Sequence, residues 1–183
     1  QEIITRYPEY FPRIIGGVVV SDSERYAMLE NALFAGEYET IRPFGKPTLY
    51  VRKALSAIQD LKRDGVSPSD FVDILEKEHT SIMNNPDLYH EKGRYKGKMK
   101  TEYSELLRNN EKNRELASLY GEYEKELRAR ELYDYEDMLL ELVRALKKHD
   151  DLLRTLQEEF LYILADEHQD ANNSQNAILE LLS

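Results

Sequence analysis

The 183-residue chain contains no cysteine and no tryptophan. Without cysteine, disulfides, thiolate catalysis and thiolate zinc sites are excluded, and a reducing compartment fits. Eight glycines and six prolines leave little room for an all-β fold. No apolar run approaches the roughly 20 residues of a membrane span. No basic-then-apolar signal segment opens the chain, whose first residue is Gln1 and not Met. A Gly-Lys-Ser/Thr phosphate loop is also missing: Gly16-Gly17 leads into three valines, so nothing is shaped to cradle a triphosphate. Thirty-five acids against 25 Lys and Arg give a net charge of −10, and mean hydropathy is −0.66. The expectation is an acidic cytoplasmic protein, rich in surface helix and long enough for one core of useful size.

The residue pattern is mostly helical. Ile14 to Val20 reads as a helix end, a loop and a short extended piece. Ser21 or Asp22 can cap a helix running to Gly36. Pro43 and Pro47 mark a loop, and a helix follows from about Pro47 to Arg63, ended by Gly65. Ser67-Pro68-Ser69-Asp70 is a helix start with a Ser cap, Pro first and an acid third. Residues 84–100 read as a loop or broken helix. From Thr101 to Arg130 a long helix is expected, with interruption open, because Arg108 to Glu115 is polar on every face. Asp134 caps a helix through His149, and another runs from about Asp151 to Glu159.

Chemistry concentrates near the C-terminus. Phe160 to Ala165 is continuously apolar, as suits a strand buried on both faces of a parallel sheet. It ends in the carboxylates Asp166 and Glu167, at the strand end where α/β folds bind ligands. A strand running into a polar loop would give the same Asp-Glu pair. The longer run Asp166-Glu167-His168-Gln169-Asp170-Ala171-Asn172, with Gln175 three residues on, resembles the second motif of UvrD/Rep-type superfamily 1 DNA helicases. That motif usually reads Asp-Glu-aromatic-Gln-Asp-Thr-Asn. Leu132-Tyr133-Asp134-Tyr135-Glu136-Asp137-Met138-Leu139 resembles the family's Leu-Asp-Phe-Asp-Asp-Leu-Leu segment, at about the right interval upstream. Leu55 to Lys62 and Val66 to Phe71 resemble its helical insertion. The match is strong over 132–183 and weaker but collinear over 14–131.

The resemblance implies a mainly α chain: a helical insertion domain, then a short α/β piece of a P-loop RecA-like domain with one buried strand and flanking helices. Residues 1–21 would lead out of that domain, 22–131 would form the insertion often called 1B, and 132–183 would return. The chain is accordingly expected to be an excerpt of a larger helicase, inactive alone for want of the phosphate loop. The parent would use ATP and Mg²⁺ to move on single-stranded DNA and unwind duplexes in repair, replication or recombination. Asp166 matches the acid that holds Mg²⁺ through its water shell, and Glu167 the acid that polarises the attacking water. Gln169 and Asp170 match positions linking the nucleotide site to neighbouring motifs. His168 and Ala171 depart from the pattern without touching the metal or water roles. A helicase–nuclease subunit and a non-catalytic helical interaction module are the alternatives.

The remaining candidates come from charge. Lys92, Arg94, Lys96, Lys98 and Lys100 form a positive island that is either a mobile solvated loop or a phosphate-contacting one, with Tyr95 available to stack on a base. Lys62 joins them as a DNA-contacting candidate. His79, His90 and His149 lack metal-ligand spacing. The expected partners are DNA, the remaining helicase domains and no membrane. With most of its sheet neighbours elsewhere, 160–183 is expected to be poorly ordered, rearranged, or packed on another copy or on the piece near Val18–Val20.

Overall fold

The computed structural model describes residues 1–183, apart from the side chain of Asp170. Its elements in order are α1 (Glu2–Arg6), α2 (Pro12–Ile15), β1 (Val18–Val19), α3 (Asp22–Ala35), α4 (Val51–Arg63), α5 (Pro68–Met83) and α6 (Thr101–Ala129). They continue with β2 (Leu132–Tyr133), α7 (Tyr135–Lys148), α8 (Asp150–Glu159) and α9 (Asn173–Leu182). The chain is mainly α, as expected, and among the described residues its sheet is two parallel strands. No helix is long and apolar enough to cross a membrane among those residues.

Helix ends follow local chemistry. Ser67 accepts the Asp70 N–H while Asp70 accepts the Ser67 N–H, a reciprocal capping box with Pro68 at the first turn. Ser21 and Glu24 make the same exchange before α3. At the end of α4 the Gly65 N–H bonds the Lys62 carbonyl and the Val66 N–H bonds that of Leu61. This Schellman closure needs the left-handed backbone of Gly65, φ +74°. Gly36 ends α3 for another reason: a Cβ there would meet the Tyr38 ring at 2.3 Å.

Two compact units result. The first comprises Gln1–Arg25, Leu55–Val66 and Lys125–Ser183, the second Tyr26–Ala54 and Ser67–Glu124. In the first, Ile4, Phe11 and Ile14 pack with Leu142, Leu146, Leu152, Leu156 and Leu182. Val18 and Val19 pair in parallel with Leu132 and Tyr133.

In the second unit, the polar middle of α6 is what ties other segments down, and α6 runs through it uninterrupted. Asn110 is 1% exposed; its Nδ2 donates to the Leu75 carbonyl at 2.9 Å and to Glu78 at 2.8 Å. Glu115 accepts the backbone N–H groups of Glu39, Thr40 and Ile41 at 3.0–3.1 Å and the Thr40 hydroxyl at 2.8 Å. Burial pushes the Glu115 carboxyl up, but the Ile41 and Thr40 bonds outweigh it and hold the group below its ordinary 4.5. A lowered folded-state pKa gives stability that is present above 4.5 and lost as pH falls below it. Glu115→Gln is therefore expected to cost about 1–2 kcal/mol at pH 7. Urea unfolding at two pH values checks this. The gap between wild type and variant should shrink at pH 4, and an equal gap at both would remove the charge from the explanation.

The expected strand over 160–165 is not formed. Phe160 packs on the core of the first unit, while Leu161, Tyr162 and Leu164 are 76%, 91% and 97% exposed. A strand exists only through hydrogen bonds to neighbours. Val18–Val19, the one extended partner anticipated within the chain, is paired with Leu132–Tyr133 instead. Residues 161–165 form no strand and therefore do not pair with the free edge of Val18–Val19 either. Beyond the motif the chain is helical again, and Leu182 of α9 is buried in the first unit's core.

Candidate nucleotide and DNA-contact sites

The acidic motif is a turn joining the exposed 161–165 segment to α9. The Asp166 carboxylate accepts the Glu167 N–H at 2.9 Å. Glu167 lies in the left-handed region (φ 48°, ψ 40°) and opens a 3₁₀ turn over His168–Asp170. A non-glycine residue there is uncommon and mildly strained. Gln169 donates through Nε2 to the Glu167 carboxylate. Asn172 and Gln175 then form a capping box that starts α9. Thus Asp166, Glu167 and Gln169 are together and exposed, while the side chain of Asp170 lies outside the described residues. An open pocket of about 430 Å³ is lined by Asp166, Glu167, His168 and Gln175, with Ala171, Ile178 and Leu179 beside them.

This donor set fits one side of a hydrated magnesium ion. Mg²⁺ takes hard oxygen ligands and keeps several waters, so one or two carboxylates are the usual protein share. Among the described residues no group of three or more metal-ligating side chains is gathered. What the turn offers is two adjacent carboxylates, one of them already oriented by Gln169.

Behind the turn, α9 leans on the end of α4. Asn173 Nδ2 donates to Asp64 at 3.0 Å, and the Ser174 hydroxyl to the Lys62 carbonyl at 3.4 Å. Lys62 itself is 0% exposed, which corrects its assignment as a DNA contact. Its ammonium is turned inward, 2.6 Å from Asp134 Oδ2 and 2.9 Å from Asp137 Oδ1. Those aspartates cap α7: Asp134 accepts the Asp137 N–H at 2.9 Å and Asp137 accepts the Asp134 N–H at 3.1 Å. Arg13 adds bonds to Asp137 and Glu141, both at 3.2 Å. Sequence reasoning found the cap and missed the cations. The available signal was that Lys62 continues the Leu55–Ile58 face of α4 at helical spacing.

The two aspartates are not equivalent. Burial pushes Asp134 up to about 6 against the pull of Lys62. Burial also opposes ionisation of Asp137, but Lys62 and Arg13 together hold it below the ordinary 3.8. The physical difference is that Asp137 is also bonded by Arg13, which lowers it further.

The island at 90–100 is a hydrogen-bonded hairpin. Tyr89 and Met99 form an antiparallel bridge. The His90 N–H bonds the Lys98 carbonyl at 3.0 Å, the Gly97 N–H bonds that of His90 at 2.8 Å, and the Lys100 N–H reaches Leu88 at 3.0 Å. Gly93 (φ +82°) and Gly97 (φ +77°) turn the chain. Lys92, Arg94, Lys96 and Lys98 are exposed. Lys100 is half-buried and paired with Asp87. Tyr95 is 52% exposed, 5.8 Å from the His90 ring and under the Arg94 guanidinium at 6.0 Å.

The family model of the UvrD/REP helicase N-terminal domain matches residues 26–183, and the chain belongs to that family. It is 33% identical over 72 residues to the ATP-dependent DNA helicase Rep of Escherichia coli (strain K12), covering 39% of this chain and 11% of that protein. It is 33% identical over 69 residues to the ATP-dependent DNA helicase UvrD1 of Mycobacterium tuberculosis (strain ATCC 25618 / H37Rv), covering 38% and 9%. With the ATP-dependent DNA helicase PcrA of Staphylococcus aureus (strain NCTC 8325 / PS 47) the identity is 29% over 68 residues, covering 37% and 9%. The aligned stretches thus span about a tenth of each relative's length.

Proposed function

We propose that this chain is part of an ATP-dependent DNA helicase that couples ATP hydrolysis to movement along single-stranded DNA and to unwinding. The observation that carries the reading is the exposed Asp166–Glu167 turn in a chain of the UvrD/REP family. When bound, Mg²⁺ would neutralise charge on the nucleotide phosphates. Asp166 would hold the ion through its waters. Glu167, oriented by Gln169, would accept a proton from the attacking water. Asp170 would join Asp166 at the nucleotide. Residues 22–131 serve as the helical insertion, and its hairpin offers cations to the DNA backbone.

The hairpin also gives the reading a test. Because its backbone is hydrogen-bonded, Lys92, Arg94, Lys96 and Lys98 are presented without the ordering cost of a mobile loop. Reversing Lys92, Arg94 and Lys96 to Glu in the whole helicase should weaken DNA binding regardless of sequence. It should also flatten the slope of log K against log salt by roughly 0.7–0.9 per lost contact. Fluorescence anisotropy across a salt series measures both, and an unchanged slope would return the hairpin to an ordinary surface role.

A further inference from the structure

In the stretch 40–59 the sequence carries Arg42, Lys46, Arg52 and Lys53 and no acid, within a chain of net charge −10. At its middle the Lys46 N–H bonds the Pro43 carbonyl at 3.2 Å, and Gly45 has φ +81°. Glycine at the third position with positive φ is the type II turn. Phe44 occupies the second position, at the apex, and is as exposed as a phenylalanine can be, 107% of its reference area. A large aromatic ring wholly in water gains nothing for folding.

The turn is nonetheless well anchored. On one side Ile41 is buried and its N–H is held by Glu115 at 3.0 Å. Arg42 donates to the carbonyls of Leu33 and Phe34 at 3.3 and 3.1 Å. On the other side the Leu49 N–H bonds Lys46 and the Val51 N–H bonds Thr48. The Tyr50 ring carries the Lys112 ammonium 4.2 Å above it, and Val51 is buried. Pro43 and Pro47 stiffen the backbone between these anchors. Arg42 is engaged by carbonyls, while Lys46, Arg52 and Lys53 are exposed.

We infer that this turn is a second nucleic-acid contact, in which Phe44 stacks on an unpaired base of single-stranded DNA. Lys46, Arg52 and Lys53 meet the phosphates on either side. The inference rests on the DNA reading above but invokes none of the hairpin residues. A protruding aromatic followed in sequence by the exposed Lys46, Arg52 and Lys53 matches the face of a base flanked by phosphates, which is the general pattern of single-strand platforms. A protein partner fits less well, since interface cores are depleted of charge.

The full 183-residue chain and a fluorescein-labelled oligothymidylate at low salt provide the test. Phe44→Ala should weaken binding about tenfold, within the range for one base–aromatic stack. Phe44→Trp should keep or improve affinity, and Phe44→Leu should behave like alanine, since it restores apolar bulk without the ring face. None of the three should change the salt slope, because stacking releases no counterions. Arg52→Gln with Lys53→Gln should lower the slope by roughly 0.7 per contact. An unchanged Kd for Phe44→Ala, or full affinity in Phe44→Leu, overturns the stacking role. If hairpin charge reversal abolishes binding while Phe44→Ala does not, only this inference falls. If the wild-type chain fails to bind at low salt, the turn is not a DNA contact and this inference falls, while the reading of the whole helicase is tested by the hairpin variants. As the ring touches solvent alone, the variants should melt with wild type.

Discussion

Replacing Lys62 with methionine should destabilise the first unit by about 3–5 kcal/mol, the usual cost of leaving a buried charge without its partner. Two carboxylates, both about 2% exposed in their side chains, would lose the ammonium lying 2.6 and 2.9 Å away. Arg13 would still reach Asp137, at 3.2 Å. Chemical denaturation measures the loss. Adding Asp134→Asn and Asp137→Asn to the methionine variant should recover part of it. Asparagine keeps the helix cap, and no unpaired charge then remains. A loss below about 1 kcal/mol, or no recovery, would mean that Lys62 packs without compensating charge. The pH dependence has a definite sign. Asp134 is raised from 3.8 to about 6, so its contribution is complete below 3.8 and fades as pH rises through 6. Asp137 is lowered, so its contribution is present above 3.8 and fades as pH falls through its folded value. In the wild type, the carboxyl that titrates near 6 by carbon-detected NMR should be Asp134.

Glu167→Gln in the whole helicase should slow ATP hydrolysis by about 10²–10⁴-fold, the range for a positioned general base. Nucleotide binding should stay close to wild type. Glutamine preserves size and hydrogen bonding but cannot accept the proton, and the Glu167 backbone conformation (φ 48°) is no harder for it to adopt. Steady-state turnover together with equilibrium nucleotide binding separates the effects. Near-wild-type turnover would remove Glu167 from the chemistry. Equal losses in binding and turnover would assign it to holding the nucleotide.

Both variants show how far local sequence carries. The capping boxes at Ser67 and Asp134, the Gly65 stop and the long α6 were legible because each depends on residues three to six positions apart. The motif and its family were legible for the same reason, being a contiguous run of side chains. Strand formation at 160–165 was misread because apolarity records a preference for burial, whereas a strand needs hydrogen-bonding neighbours. Lys62 was misassigned because a lysine's charge suggests solvent until its partners, 72 and 75 residues away, are brought to it. The polar middle of α6 left a break open for the same reason, since Leu75, Glu78 and the 39–41 backbone are distant in sequence. The order of residues by itself therefore determined helix limits, caps, turns and the acidic motif. Only the tertiary structure decided which cations are buried, which polar groups are satisfied and that Phe44 projects alone, because burial and pairing depend on distances between segments that local patterns do not encode.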